Sequence, residues 1–236
     1  IDMATNSDWY LVASVHNNAH QQRQRQKASQ NTFLQNASHE LKSPLMNIQG
    51  YMEAMEDGLY EQSKASSLVV KECQKLKVLV DQMIRSSKAD VVEEEDIHPE
   101  IIDMVSFVQD LKSIVPSKLN FYYHGDQESL RFDRTILQVI LDNLIQNACR
   151  YADTQIELIY QVNDHDITLM VKDDGAGIEP AVVNRLFERF AKGSQGKTGL
   201  GLSIVKQYVE VTKGTIEAYN DGGAVFMMTW VTEKMP

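Results

Sequence analysis

The stretch Leu34–Met55, LQNASHELKSPLMNIQGYMEAM, decides the architecture of the N-terminal half. Leu34, Ala37, Leu41, Leu45, Ile48, Met52 and Met55 recur every three or four residues. That interval gathers side chains on one face of an α-helix, and the face needs a partner. Asp57-Gly58 ends the stripe, and a polar loop through Ser67 is expected to lead into a second helix. There Val69, Cys73, Leu76, Val80 and Met83 step in the same way. Two such helices form an antiparallel hairpin with a thin core. Packing two hairpins into a four-helix bundle buries both stripes, so a homodimer is expected. Before the hairpin, residues 9–32 read as one polar helix, free of Gly and Pro and poor in apolar positions after Val15. Such a helix is a connector that cannot fold alone. Beyond the hairpin, Glu93-Glu94-Glu95-Asp96 reads as a linker. The expected divisions are 1–31, 32–92 and 93–236.

The remainder mixes both periods. Helices are expected over Asp103–Val115, Thr135–Tyr151 and Leu202–Thr212, with a shorter one within Pro180–Phe190. Short strands are expected at Asn120–His124 and Leu130–Phe132. Gln155–Val162 and Ile167–Lys172 alternate around the turn Asn163–Asp166, and Thr215–Tyr219 and Ala224–Val231 flank Asp221-Gly222-Gly223. These are hairpin signals. The fold class is therefore α+β, a helical hairpin followed by a sandwich with helices on one face of a mixed sheet.

Composition narrows the function. The 236 residues are 43% hydrophobic, enough for one or two small domains with cores of their own. Net charge is -10, from 23 basic and 33 acidic residues, a poor fit to direct nucleic-acid binding. The basic run Gln21–Lys27 is too short to change this; it reads as a solvated helix face, with a membrane-surface role as the lesser alternative. Cys73 and Cys149 fit no metal-ligand spacing and are expected to be buried free thiols. No run approaches the roughly 18–20 apolar residues that span a bilayer, and no signal peptide is visible. The chain reads as soluble and, lacking an initiator Met, as a piece of something longer.

Four stretches carry chemistry. In Ser38-His39-Glu40-Leu41-Lys42-Ser43-Pro44, His39 lies beside the apolar stripe and is expected to face solvent. A neutral imidazole has one free lone pair for attack on phosphorus, and Glu40 can take the Nδ1 proton and leave Nε2 nucleophilic. Pro44 removes a backbone bond and is expected to bend the helix one turn later. The same residues also describe an exposed histidine followed by a helix-capping Ser-Pro. In Asp142–Ala148, Asn143 and Asn147 share a helix face whose neutral oxygens suit Mg²⁺ beside phosphates, with Arg150 in reach of an anion. An ordinary polar face is the plainer alternative. Asp173-Asp174-Gly175-Ala176-Gly177-Ile178 puts a carboxylate at a strand end, able to accept an adenine amine; it equally describes a strand-terminating turn. Gly196-Lys197-Thr198-Gly199-Leu200-Gly201-Leu202 leads into a helix and offers backbone N–H groups to phosphate, a weak signal alone.

Two stretches are set aside. Ala191–Thr198, AKGSQGKT, approaches a P-loop, with Lys197 and Thr198 as its phosphate and Mg²⁺ residues, but an amphipathic helix rather than a strand is expected before it. His16 and His20 stand four apart without a third ligand.

Taken in order, the stretches resemble a known family. Phe33–Leu45 is similar to the H box of sensor histidine kinases, Asn143–Tyr151 to the N box and Asp173–Ile178 to the G1 box. Leu186–Phe190 resembles the F box and Gly199–Val205 the G2 box. The likeness covers roughly residues 32–232. It implies a connector helix, a dimerisation and phosphotransfer hairpin and an ATP-binding domain of Bergerat type. It implies ATP-dependent autophosphorylation of His39 with Glu40 as base, then transfer to an aspartate of a cognate response regulator receiver domain. Asn147 would be the Mg²⁺ ligand and Asp173 the adenine acceptor. Asn143, Arg150, Tyr151, Gly175, Gly177, Ile178, Phe187, Lys192, Thr198, Gly199, Leu200, Gly201 and Leu202 would complete the nucleotide site, and residues 179–198 the lid. The resemblance also implies a cytoplasmic fragment of a membrane-bound bacterial sensor, tied to the membrane only through a missing N-terminal part. Two departures stand out. Lys197 replaces the usual first glycine of the G2 box, and Ser43 replaces a commoner threonine, so regulator phosphatase activity stays open. The alternatives are an ATPase switch of the same nucleotide superfamily and a non-catalytic dimeric signalling module.

Overall fold

The structure is a computed structural model that describes residues 4–191, 193 and 198–231, with side chains at Gln24 and from Gln30 onward. It divides between Val78 and Leu79 into two compact units. The first is helical. Helix α1 runs Ala4–Glu56 without interruption, Pro44 included. A turn at Asp57-Gly58, with Gly58 at φ 71, leads into α2, Gln62–Ala89. The loop is thus shorter than the one expected through Ser67. Gln62–Ser67 is polar because it is an exposed first turn and a half of helix, within which only Ala65 is buried.

Within this unit Ala37, Ala65 and Glu72 are buried, and Glu72 is paired with Lys75 at 2.6 Å. Leu34 at 55%, Leu45 at 59% and Met52 at 41% exposure leave much of the first apolar stripe uncovered. Cys73 is exposed and Cys149 half-buried, which corrects the expectation of two buried thiols. On α2 the covered positions are Ala65, Glu72, Leu79, Ser86 and Ala89, so the buried line runs beside the apolar stripe that holds Cys73 rather than along it.

The second unit is the α+β domain. Its elements are β1 Glu100–Asp103, α3 Met104–Ser113, β2 Asn120–Gly125, β3 Ser129–Phe132, α4 Arg134–Tyr151, β4 Gln155–Val162, β5 Asp166–Asp173, α5 Gly201–Val211, β6 Thr215–Asn220 and β7 Ala224–Val231. Five strands form one mixed sheet in the order β2-β4-β5-β7-β6, and β1 pairs with β3 as a separate ribbon. The hairpins β4-β5 and β6-β7 are antiparallel, whereas β2 joins β4 in parallel. Residues 180–190 hold a short 3-10 turn, Val183–Arg185, instead of the expected α-helix. Their apolar side chains Val182, Leu186 and Phe187 pack on the core from irregular backbone, so helical spacing there does not require a helix.

Alternation explains the layering. Ile156, Leu158 and Tyr160 of β4 and Ile167, Leu169 and Val171 of β5 are buried, while their neighbours are half-exposed. The buried face meets Ile140, Leu144 and Ala148 of α4, Phe107 and Leu111 of α3 and Val205 and Val209 of α5. Truncating one such residue, Leu144→Ala for instance, would cost about 2–5 kcal/mol. Asp133 caps α4 by accepting from Ile136 N at 3.0 Å and also takes His98 N at 2.9 Å, which ties the linker to the start of that helix.

Candidate active site

Burying one side of α4 leaves the other for chemistry. Asn143, Gln146, Asn147 and Arg150 lie on the opposite face and line one pocket of the second unit. Asn143 Nδ2 donates to Val139 O at 2.7 Å, which orients its amide, and Oδ1 lies against Gly201. A Cβ at Gly201 would stand 2.9 Å from that oxygen, so this glycine lets α5 approach α4. The Asn147 side-chain amide has no hydrogen-bond partner among the described residues. Two neutral amides beside a cavity fit a cation that keeps most of its oxygen ligands from phosphate and water. The Arg150 guanidinium lies 5.9 Å from the Tyr151 ring centroid, and both residues line the pocket.

Just past the end of β5, Gly177 and Ile178 line the pocket, and Asp173 at the strand's end lies behind them in sequence, outside the lining. Asp173 is 2% exposed. Its Oδ1 accepts from Gly175 N at 3.0 Å and Ala224 N at 3.2 Å, and among the described residues no donor meets Oδ2. Burial pushes this carboxyl above its ordinary range, and the two N–H bonds only partly pull it back. Gly175 has no room for a side chain, since a Cβ would sit 2.0 Å from Tyr151 O. A buried acceptor with one unused oxygen fits an N–H group on a ligand, as the adenine amine supplies. The next residue does something else. Asp174 accepts from the backbone N of Asp153, Thr154 and Gln155 and from the Thr154 hydroxyl, fastening the start of β4. Burial opposes its ionisation, but these bonds outweigh it and hold the carboxyl at about 2.

The third wall is the N-terminus of α5. Thr198, Gly199, Gly201 and Leu202 line the pocket. Leu200 at the N-cap offers no side-chain bond, which leaves the first N–H groups of the helix for an anion. Gly199 at φ 66 accepts from Phe190 N at 2.8 Å, pinning the two ends of the segment between them. Thr198 Oγ1 donates to Gln82 Oε1, and Arg189 and Gln207 both donate to Asp90 Oδ1. Residues 174–190, directly before Ala191, hold no strand, so the P-loop alternative fails, and Lys197 lies outside the described residues.

Most expected site residues therefore converge. Leu200 is fully buried, Phe187 packs on the core, and Asp173 and Gly175 sit at the end of β5; none of the four lines the pocket. Lys192 lies outside the described residues. The sequence reading missed Gln82, Gln146, Val182, Ala224 and Phe226, all of which line the pocket, and Asn220, which braces Ile178. Gln146 sits between two asparagines already singled out, a signal that was there to read.

In the first unit His39 and Ser43 are exposed and Glu40 is half-buried. Ser38 Oγ donates back to Leu34 O at 2.7 Å, so the hydroxyl before His39 serves the helix backbone. Among the described residues no helix is long and apolar enough to cross a membrane, and no cluster of three or more His, Cys, Asp and Glu could hold a metal ion. The side chains of His16 and His20 lie outside the described residues.

Two family models match the chain. Residues 29–91 match the His Kinase A (phospho-acceptor) domain, and residues 132–234 match the histidine kinase-, DNA gyrase B-, and HSP90-like ATPases. The chain is 30% identical over 200 residues to the sensor histidine kinase CssS of Bacillus subtilis (strain 168), covering 82% of this chain and 44% of that protein. It belongs to the sensor histidine kinase family. A second relative, the sensor protein kinase WalK of Staphylococcus aureus, is 29% identical over 226 residues, covering 88% of this chain and 54% of that protein. The chain thus spans about half the length of these kinases. Solved histidine kinases share the fold. Acinetobacter baumannii AdeS matches at TM-score 0.66 and 23% identity over 82% of this chain and 97% of that one. ThkA, solved in complex with the response regulator protein TrrA, matches at 0.72 and 19% identity over 86% of this chain and 62% of that one. The second unit is accordingly an ATP-using domain of this kinase family.

Proposed function

We propose that the protein moves the γ-phosphoryl group of ATP onto His39 Nε2 and passes it to an aspartate in the receiver domain of a cognate response regulator. One observation carries the reading: residues scattered from Asn143 to Leu202 line one cavity, in a chain that also exposes a histidine on a helix of phosphoacceptor type. In the first step the Nε2–phosphorus bond forms as the bond from the γ-phosphorus to its bridging oxygen breaks, and ADP leaves. Glu40 takes the Nδ1 proton. Asp173 receives the adenine amine, Asn143, Arg150, Tyr151, Gly177 and Ile178 shape the pocket, and the N-terminus of α5 holds phosphate. Mg²⁺, when bound at Asn147, would neutralise phosphate charge. Ser43 offers a hydroxyl for removing phosphoryl groups from the regulator.

The uncovered stripe of α1 suits a second copy of the hairpin, so the acting form is a homodimer. The functional divisions are a connector to residue 31, a phosphotransfer hairpin to 92 and a catalytic domain beyond. Its setting is the cytoplasmic side of a membrane-bound bacterial sensor, with any membrane anchor N-terminal to this chain.

The test is incubation with Mg²⁺-ATP and mapping of the modified residue by mass spectrometry under alkaline conditions. His39→Gln should still bind nucleotide but take up no acid-labile label from γ-labelled ATP. Label retained on another residue, or steady ATP hydrolysis with no phosphohistidine in the wild type, would overturn the proposal.

A further inference from the structure

We infer that Asn220 is a positioning residue for the nucleotide pocket, holding the backbone of Ile178 in place at the adenine end. The inference rests on the nucleotide reading above and adds to it a residue outside every motif in the chain.

Asn220 closes β6, 42 residues beyond Ile178. Its Oδ1 accepts from Ile178 N at 2.7 Å and its Nδ2 donates to Ile178 O at 3.1 Å. One side-chain amide thus satisfies both backbone groups of a single residue, as a neighbouring strand would, at a place where the chain has left the sheet. Ile178 and Gly177 line the pocket. Gly177 stands at φ 79, and a Cβ there would meet the Asn220 amide at 2.8 Å. The glycine is required both by its own conformation and by the side chain packed over it.

The same turn braces the adenine acceptor. Ala224 N donates to Asp173, Gly223 lies so close to Asp173 O that a Cβ would stand at 1.9 Å, and Lys172 pairs with Asp221 at 2.9 Å. Asp173 therefore fixes one end of the loop 174–178 and Asn220 the other. Without the Asn220 clasp the loop keeps its acceptor but loses the rigidity that holds Ile178 beside the base, and part of the binding energy goes into ordering it.

Asn220 is itself exposed, so truncating it opens no core cavity. It also belongs to the base end and not to the phosphates. The expected signature is therefore a split between binding and turnover. In Asn220→Ala, ADP measured by calorimetry should bind about 5- to 30-fold more weakly, the range for losing two hydrogen bonds that order a loop. The KM for ATP in autophosphorylation should rise by a similar factor, with the rate at saturating ATP and the thermal midpoint nearly unchanged. Asn220→Asp gives a second readout. The introduced carboxylate accepts from Ile178 N but repels Ile178 O, and only its protonated form donates. Its ADP affinity should improve as pH is lowered, relative to the wild type at each pH. Wild-type affinity in Asn220→Ala, or a fall in saturating rate with KM unchanged, overturns the inference while leaving the nucleotide reading intact. Failure of the wild type itself to bind ADP overturns both.

Discussion

At the residue scale, two adjacent carboxyl groups are driven in opposite directions. Asp173 is pushed up by burial, so its ionised form is less comfortable in the fold than in the open chain. Its contribution to stability is complete only below the ordinary carboxylate value near ~4 and is lost as pH rises through its own raised value. At neutral pH it therefore costs stability. Asp174, held at about 2, has the reverse sign: its contribution is present above the ordinary value and lost as pH falls towards 2. Asp173→Asn keeps an Oδ1 for Gly175 N and Ala224 N and removes the buried charge. Calorimetric unfolding at pH 7 should show a midpoint equal to or above that of the wild type, while ADP affinity drops roughly tenfold or more, since an acceptor becomes a donor. A large fall in the midpoint would mean that the carboxylate is there for the fold. Asn143 and Asn147, which the structure places on the pocket, stood out in the sequence because they share a short stretch with its own pattern. Asn220 and Gln82 did not, because their partners lie 42 and 116 residues away, and spacing along the chain says nothing about such pairs.

At the scale of elements, sequence patterns worked where burial was one-sided and long. Strand β4 falls on Gln155–Val162 and the helix read over Thr135–Tyr151 is α4 less one residue, because eight alternating positions and a full apolar face leave little ambiguity. Strand β1 escaped notice. It has four residues, with Ile102 fully buried and Ile101 78% exposed, too short an alternation to stand out. The end of α2 raises a question of energetics. Asp90 receives both Arg189 and Gln207, joining that end to the F-box turn and to α5. The pair is partly exposed, with side chains at 43% and 23%, so its worth is modest. A double-mutant cycle with Asp90→Ala and Arg189→Ala, read by urea unfolding of the domain, should give a coupling of about 0.2–1 kcal/mol. A value indistinguishable from zero would show that the end of α2 is not energetically joined to the lid base.

At the scale of the whole molecule, the two compact units differ in what completes them. The first leaves Leu34, Leu45, Met46 and Met52 largely uncovered, whereas the second encloses a continuous core of its own. A hairpin proposed to pair with another copy and a domain with a core of its own have no reason to melt together. Differential scanning calorimetry should resolve two transitions. Diluting the sample should lower the hairpin transition and leave the other in place, and adding ADP should raise only the other. A single transition that responds to both variables would contradict this.

The unbroken run of α1 through Pro44 has one more consequence. Proline supplies no N–H, so the backbone hydrogen-bond ladder of α1 lacks one rung about a turn beyond His39. The chain is therefore locally softer beside the residue proposed to accept phosphorus. Amide hydrogens flanking that point should exchange with deuterium sooner than those nearer the ends of the hairpin's covered segment, giving the phosphoacceptor a hinge of its own.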